Sequence, residues 1–170
     1  FVHRFVSAVM PFGVMKDGRF CPTQEGRDIL DCWQQDSSAG LRFSQVEFSP
    51  QVLYIQPYPG IDYGRYDLKN VKAVVHGLYH AGTASVREPS NLAGWVEQCG
   101  KLGIPVYLAP IEGGEEMYRS SRELLDAGAI PLPGMTAHSA VVKVMMACGM
   151  FERQDWDNFL MQPLAGEFLK

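Results

Sequence analysis

From residue 46 onward, the apolar positions follow two alternating patterns. Val52–Gln56, Val71–Leu78, Ile104–Ala109 and Ala129–Leu132 are short, near-continuous runs rich in Val, Ile and Tyr. Runs of this length and composition predict strands buried on both faces, as in a parallel sheet. Between the second and third runs, Leu92, Trp95, Val96, Cys99 and Leu102 recur at helical spacing and stop at Gly103. Met117, Ser121, Leu124 and Leu125 make a second such stripe, ended by Gly128; Ala140, Val141, Val144, Met145 and Cys148 make a third. Helices are therefore predicted near 89–102, 115–127 and 137–149, with a last one over Asp155–Met161. Strands alternating with helices of this length require crossover connections. The prediction is an α/β fold: an open parallel sheet of about four strands with helices on both faces, Rossmann-like.

Residues 1–45 follow neither pattern. Phe12 to Phe20 alternates loosely around Lys16-Asp17-Gly18, and Asp-Gly is a hairpin signal. Ile29, Leu30 and Trp33 sit at helical spacing within Gln24–Gln35, and Ser37-Ser38-Ala39-Gly40 reads as a turn or linker. A short hairpin and helix segment at 1–45 thus precedes an α/β domain at 46–170. The chain starts at Phe1 rather than Met, which reads as a fragment or a processed product, with 1–45 as the connection out of a missing N-terminal domain.

Composition narrows the function classes. The 170 residues suffice for one core without a metal or disulfide, since a chain of this size buries about 70% of its unfolded surface. A net charge of −4, with 15 scattered basic residues, gives no footprint for nucleic acid or an anionic membrane. The longest apolar stretch, Phe5–Met15, is interrupted by Pro11 and Gly13 and is too short to span a bilayer. Cys21, Cys32, Cys99 and Cys148 are far apart with no Cys-x-x-Cys, which fits reduced thiols and a cytoplasmic location.

Ligands of open parallel sheets bind at the carboxyl ends of the strands, so the informative loops are 56–63, 77–88 and 110–116. In the third, Glu112-Gly113-Gly114-Glu115-Glu116 precedes a helix. Two glycines there suggest a phosphate cradle, but three carboxylates would repel an anion and suit an ammonium group, or simply complement the helix dipole. His76 and His80 are four apart, as paired metal ligands on a helix would be. Their run is strand-like and no third ligand is near, so no metal or other cofactor is expected. Thr83 reads from its loop as a turn residue bonding its own backbone, and His138 as a surface histidine.

Tyr118, Ala127-Gly128-Ala129-Ile130, Met135-Thr136 and Lys143, with Tyr58-Pro59-Gly60-Ile61 upstream and Leu164-Ala165-Gly166-Glu167-Phe168 downstream, occur in an order that resembles one family. It is the C-terminal domain of the L-asparaginases, nearest the type I form. The resemblance implies that Tyr79 and Thr83 contact substrate, with Thr83 in the place of the family's Asn and His80 where a Gly is usual. It also implies that an acidic residue among Glu112, Glu115 and Glu116 holds the α-amino group of an amino-acid substrate. The family's nucleophilic threonine motifs, Thr-Gly-Gly-Thr and Gly-Thr-Asp-Thr, do not occur here, so no catalytic residue is assigned. The implied function is the C-terminal domain of an asparaginase-like amidohydrolase that acts as a homo-oligomer, this chain being non-catalytic by itself. A non-catalytic oligomerisation or partner-binding domain of the same fold, or an amidotransferase subunit domain, stays open beside it. Tyr58, Tyr63, Tyr66, Tyr79 and Tyr118 fall in or beside the strand-end loops, where aromatic residues suit a contact surface.

Overall fold

The computed structural model describes residues 13–24, 26–28, 31, 46–79, 82–111 and 118–164. The chain divides into two compact units, Phe1–Ser44 with Leu169–Lys170, and Gln45–Phe168. In the first, β1 (Gly13–Lys16) pairs antiparallel with β2 (Arg19–Pro22). Asp17 and Gly18 both have positive φ, 50° and 74°, as a two-residue hairpin turn that matches strand twist requires. Thr23 then caps a helical segment, its Oγ1 accepting from the Gly26 N–H at 3.0 Å. The expected Ser37–Gly40 turn and Cys32 lie outside the described residues.

The second unit is a four-stranded parallel sheet in sequential order: β3 (Val52–Ile55), β4 (Ala73–His76), β5 (Val106–Ile111) and β6 (Ile130–Pro133). Its helices are α1 (Leu92–Lys101), α2 (Arg119–Asp126), α3 (Ala137–Met150) and α4 (Trp156–Met161). The α/β class, the parallel sheet and its strands are as the periodicity predicts, with two shifts. β4 is shorter than the apolar run that contains it. β5 begins two residues later than expected, where Val106 pairs with Val74 of β4, and ends two residues later because Ile111 still pairs with Pro133 beyond a register shift after Leu108. Pro110, which has no N–H to give a ladder, falls within that irregularity.

Alternation along the strands assigns two cores. Ile55, Val74, Val106 and Leu108 point to the face covered by α1 and α2, against Leu92, Trp95, Val96, Cys99 and Leu124. Ala73, Val75, Tyr107, Ala109 and Leu132 point to the other face, covered by α3 and α4. Leu102, expected on the buried stripe of α1, is instead 60% exposed. It is the C-cap residue and lies past the last turn, where the chain reverses through Gly103 at φ 73°. Ile104 N–H reaches the Cys99 carbonyl at 2.9 Å and Gly103 N–H the Gly100 carbonyl at 3.0 Å, which closes the helix and seats Ile104 in the core. Gly128, at φ 99°, ends α2 in the same way, with Ala129 N–H on the Leu124 carbonyl at 3.0 Å. Asn91 and Thr136 cap α1 and α3 by accepting from Gly94 N–H and Ser139 N–H.

The segment leading into β3 lies directly on α3. Ser49 N–H donates to the Met145 carbonyl at 2.9 Å, and a Cβ on Gly149 would overlap the carbonyl of Glu47. Gly149→Ala is therefore expected to destabilise the fold by about 1–3 kcal/mol through backbone displacement. Gly100→Ala, on α1 with nothing within 4 Å of the added Cβ, should stabilise it by about 0.5–1 kcal/mol. Urea unfolding of the two variants reads both; equal behaviour would mean that the Glu47–Gly149 approach is slack.

Candidate functional site

Two loops leave the carboxyl ends of β3 and β4, and each is tied down by a side chain from elsewhere in the chain. After β3, the Ile61 N–H returns to the Tyr58 carbonyl at 3.2 Å around Gly60, whose φ of 80° a side chain would strain. The Ile61 carbonyl accepts from the buried Ser90 Oγ at 2.7 Å. Asp62 then caps a short 3-10 turn, Tyr63–Arg65, by accepting from Gly64 N–H at 3.0 Å. That turn presents Tyr63 to the sheet: its hydroxyl lies 2.9 Å from His76 Nε2, and its ring stacks on Trp95 at 5.2 Å.

After β4, Gly77 N–H extends the ladder to the Ile55 carbonyl at 2.8 Å, and a Cβ there would press on Gln56. Tyr79 N–H donates to the Thr83 carbonyl and Gly82 N–H to the Tyr79 carbonyl, both at 2.8 Å. Ser121 Oγ, from α2, donates to the Gly82 carbonyl at 2.8 Å. Tyr79 and Thr83, both half-buried, are thus brought together across one turn. Among the described residues the Thr83 hydroxyl makes no hydrogen bond; only its carbonyl takes part in the turn. Glu112, Glu115, Glu116 and His80 lie outside the described residues. The three glutamates lie between Ile111, the end of β5, and Tyr118, the N-cap of α2.

His76 is fully buried on the α1 side, where its partner is Tyr63. Among the described residues its Nδ1 has no hydrogen-bond partner, although the Gly77 backbone lies near the ring. Burial pushes the imidazole pKa down to about 4, which the Gly77 backbone offsets only in part. Burial, with the neighbouring phenols of Tyr79, Tyr66 and Tyr58, drives the Tyr63 hydroxyl far above its ordinary range. Among the described residues no three His, Cys, Asp or Glu side chains gather as a metal site. Cys99 and Cys148 are buried thiols pushed up to about 11 by burial, so they are protonated and unreactive at neutral pH. His138 is exposed on the first turn of α3, 6.2 Å from the Tyr54 ring.

Of the five tyrosines at the strand ends, Tyr63 is core, Tyr66 and Tyr79 are half-buried, and Tyr58 and Tyr118 are 50% and 60% exposed. A cleft of about 540 Å³ lies at the opposite end of the sheet, between Val71-Lys72, Leu102–Ile104 and Cys148–Arg153. It is remote from the strand-end loops, and the carbonyl ends of α1 and α3 meet there with Lys72 and Arg153 beside them. That pairing of helix C-termini with cations is ordinary dipole compensation. Ser90 and Ser121 carry no sequence signal for their roles, since their partners lie 29 and 39 residues away.

The parallel sheet and its helices form an α/β fold like that of asparaginase C-terminal domains. No family model and no curated protein matches the sequence. The L-asparaginase of Thermococcus kodakarensis superposes with a TM-score of 0.59 at 27% identity, over 73% of this chain and 39% of that one. L-asparaginase I of Vibrio cholerae O1 biovar eltor has the same fold, with a TM-score of 0.54 at 20% identity over 72% and 39% of the two chains. The chain thus spans about two fifths of the length of these enzymes, as a C-terminal asparaginase-like domain does. No helix among the described residues is long and apolar enough to cross a membrane.

The buried histidine gives a pH prediction. Folded His76 stays neutral down to about pH 4, whereas an unfolded histidine takes up its proton below about pH 6.5. Between those values the unfolded chain binds more protons, so stability falls as the pH drops through this window, by about 3 kcal/mol in all. His76→Gln, which can still bond Tyr63 but does not titrate, should flatten that slope in urea unfolding at pH 7, 5.5 and 4. An unchanged slope would place the acid sensitivity on another group.

Proposed function

We propose that this chain is the substrate-contacting, non-catalytic C-terminal domain of an asparaginase-like amidohydrolase. In the full protein, asparagine would be hydrolysed to aspartate and ammonia in the cytoplasm through a threonine nucleophile on another domain. The observation that carries this reading is the pair of fastened loops at the carboxyl ends of β3 and β4, on a sheet shared with the T. kodakarensis enzyme. On this reading Tyr79 and Thr83 meet the substrate, and one or more of Glu112, Glu115 and Glu116 neutralise its ammonium group. The exposed Tyr58 and Tyr118 suit the interface of a homodimer. No residue here supplies nucleophile or base, and no cofactor takes part.

A second reading, an oligomerisation or partner-binding domain of the same fold, is favoured by one feature. On the resemblance Thr83 stands where the family has an Asn, and a hydroxyl cannot donate and accept across the span an amide covers. One measurement tests the non-catalytic assignment that both readings share, and a second separates them. Purified chain should release no ammonia from asparagine or glutamine above background, because nucleophile and base are absent. Added L-aspartate should shift the amide resonances of Tyr79 and Thr83 at millimolar concentration, and Thr83→Ala should weaken that binding about fivefold, the value of one hydrogen bond. Ammonia release that survives repurification would overturn the non-catalytic assignment, and no response to aspartate at either residue would reject the substrate-contacting role.

A further inference from the structure

Ser121 sits in the first turn of α2, buried, yet its hydroxyl is not used by the helix. It leaves the helix and donates to the carbonyl of Gly82 at 2.8 Å. Alanine would serve the helix better at that position, so the hydroxyl answers to the loop. Gly82 has a φ of 67°, where glycine is free to turn and other residues are not. Its carbonyl belongs to the peptide that joins it to Thr83, so a partner on that oxygen fixes the plane of this peptide. The plane in turn sets the direction of the Thr83 Cα–Cβ bond. The two turn bonds, Tyr79 N–H to the Thr83 carbonyl and Gly82 N–H to the Tyr79 carbonyl, hold the ends of the turn together but leave that oxygen unconstrained. The Thr83 hydroxyl has no partner among the described residues, so it is available to a ligand.

We infer that Ser121 is a positioning residue, which clamps the Gly82–Thr83 peptide and thereby aims the Thr83 hydroxyl at a polar amino-acid ligand over the carboxyl end of β4. The ligand class rests on the function proposed above; the clamp rests only on the hydrogen bonds. The whole chain is used for the test, as Ser121→Ala and Ser121→Thr, and the alanine variant is expected to fold because it improves helix propensity. Amide hydrogen exchange at Tyr79 and Gly82 should quicken about fivefold in S121A, the loss of one hydrogen bond, while β4 and β5 keep their rates. L-Aspartate affinity, followed at Thr83, should fall by about the same factor, and S121T should restore both. Unchanged exchange at Gly82, or an equal acceleration across β4 and β5, would overturn the clamp. Quickened exchange in S121A, with no aspartate binding by the unsubstituted chain, would uphold the clamp and count against the amino-acid ligand instead.

Discussion

Strand β4 has every side chain, Ala73 through His76, buried, and it stands between β3 and β5. A strand in that position demands cover on both faces of the sheet, and the rest of the domain follows from supplying it. Because the four strands run in sequential order, the connections between them all fall on one face, where α1 and α2 lie. The other face is left to whatever follows β6. A single helix, α3, crosses it and touches β3, β4 and β5, with α4 packed alongside. Ala73, Ala140 and Ala147 line that contact and let helix and sheet approach closely. The close approach continues at Gly149, against which the chain entering β3 is laid.

The interior also holds polar groups, and most of them fasten an end of the sheet. Ser90 and Ser121 each end on a carbonyl of a strand-end loop, and His76 ends on the Tyr63 hydroxyl. Tyr107 does the same for the second face, donating to Asp157 of α4 at 2.8 Å. Lys143, only 3% exposed, donates to the Gln162 carbonyl at the end of α4 and lies over the Phe159 ring at 5.9 Å. A buried donor without a partner costs more than a made hydrogen bond returns, so each pairing strongly disfavours other loop positions. His76 Nδ1, without a hydrogen-bond partner among the described residues, is the exception; it is burial of the ring that depresses the imidazole and makes the fold acid-sensitive.

These ties give the carboxyl edge of the sheet its character. Binding loops are ordinarily the mobile parts of an α/β domain. Here the loops after β3 and β4 are held by hydroxyl groups from the start of α1 and from α2, so their shape is set by the scaffold. Preorganisation of this kind reduces the ordering cost of binding. The same loops place Tyr58 in solvent and Tyr63 in the core within five residues, which divides contact surface from scaffold.

Much of the architecture was legible in the residues alone. The alternation of β4 side chains between the two cores and the period-3.6 burial at Leu92, Trp95, Val96 and Cys99 follow from local geometry, since side-chain direction repeats with the backbone. Gly103 and Gly128 marked helix ends, and Asp17-Gly18 marked a hairpin, because few other residues accept those backbone angles. Leu102 broke the pattern because periodicity does not say where a helix stops being a helix. The late end of β5 likewise depended on what β6 offered as a partner. The segment of Tyr79 and Thr83 was legible as a strand-end loop through its place after β4, whereas the turn that joins the two residues was not. That Ser121, His76 and Ser90 hold the loops was not legible, because hydrogen bonds between residues tens of positions apart leave no periodic trace. The sequence by itself determined the alternation of strands and helices and the faces they bury, which depend on neighbours along the chain. Only the tertiary structure decided which distant hydroxyl meets which carbonyl, because that choice is made by the packing of elements against one another.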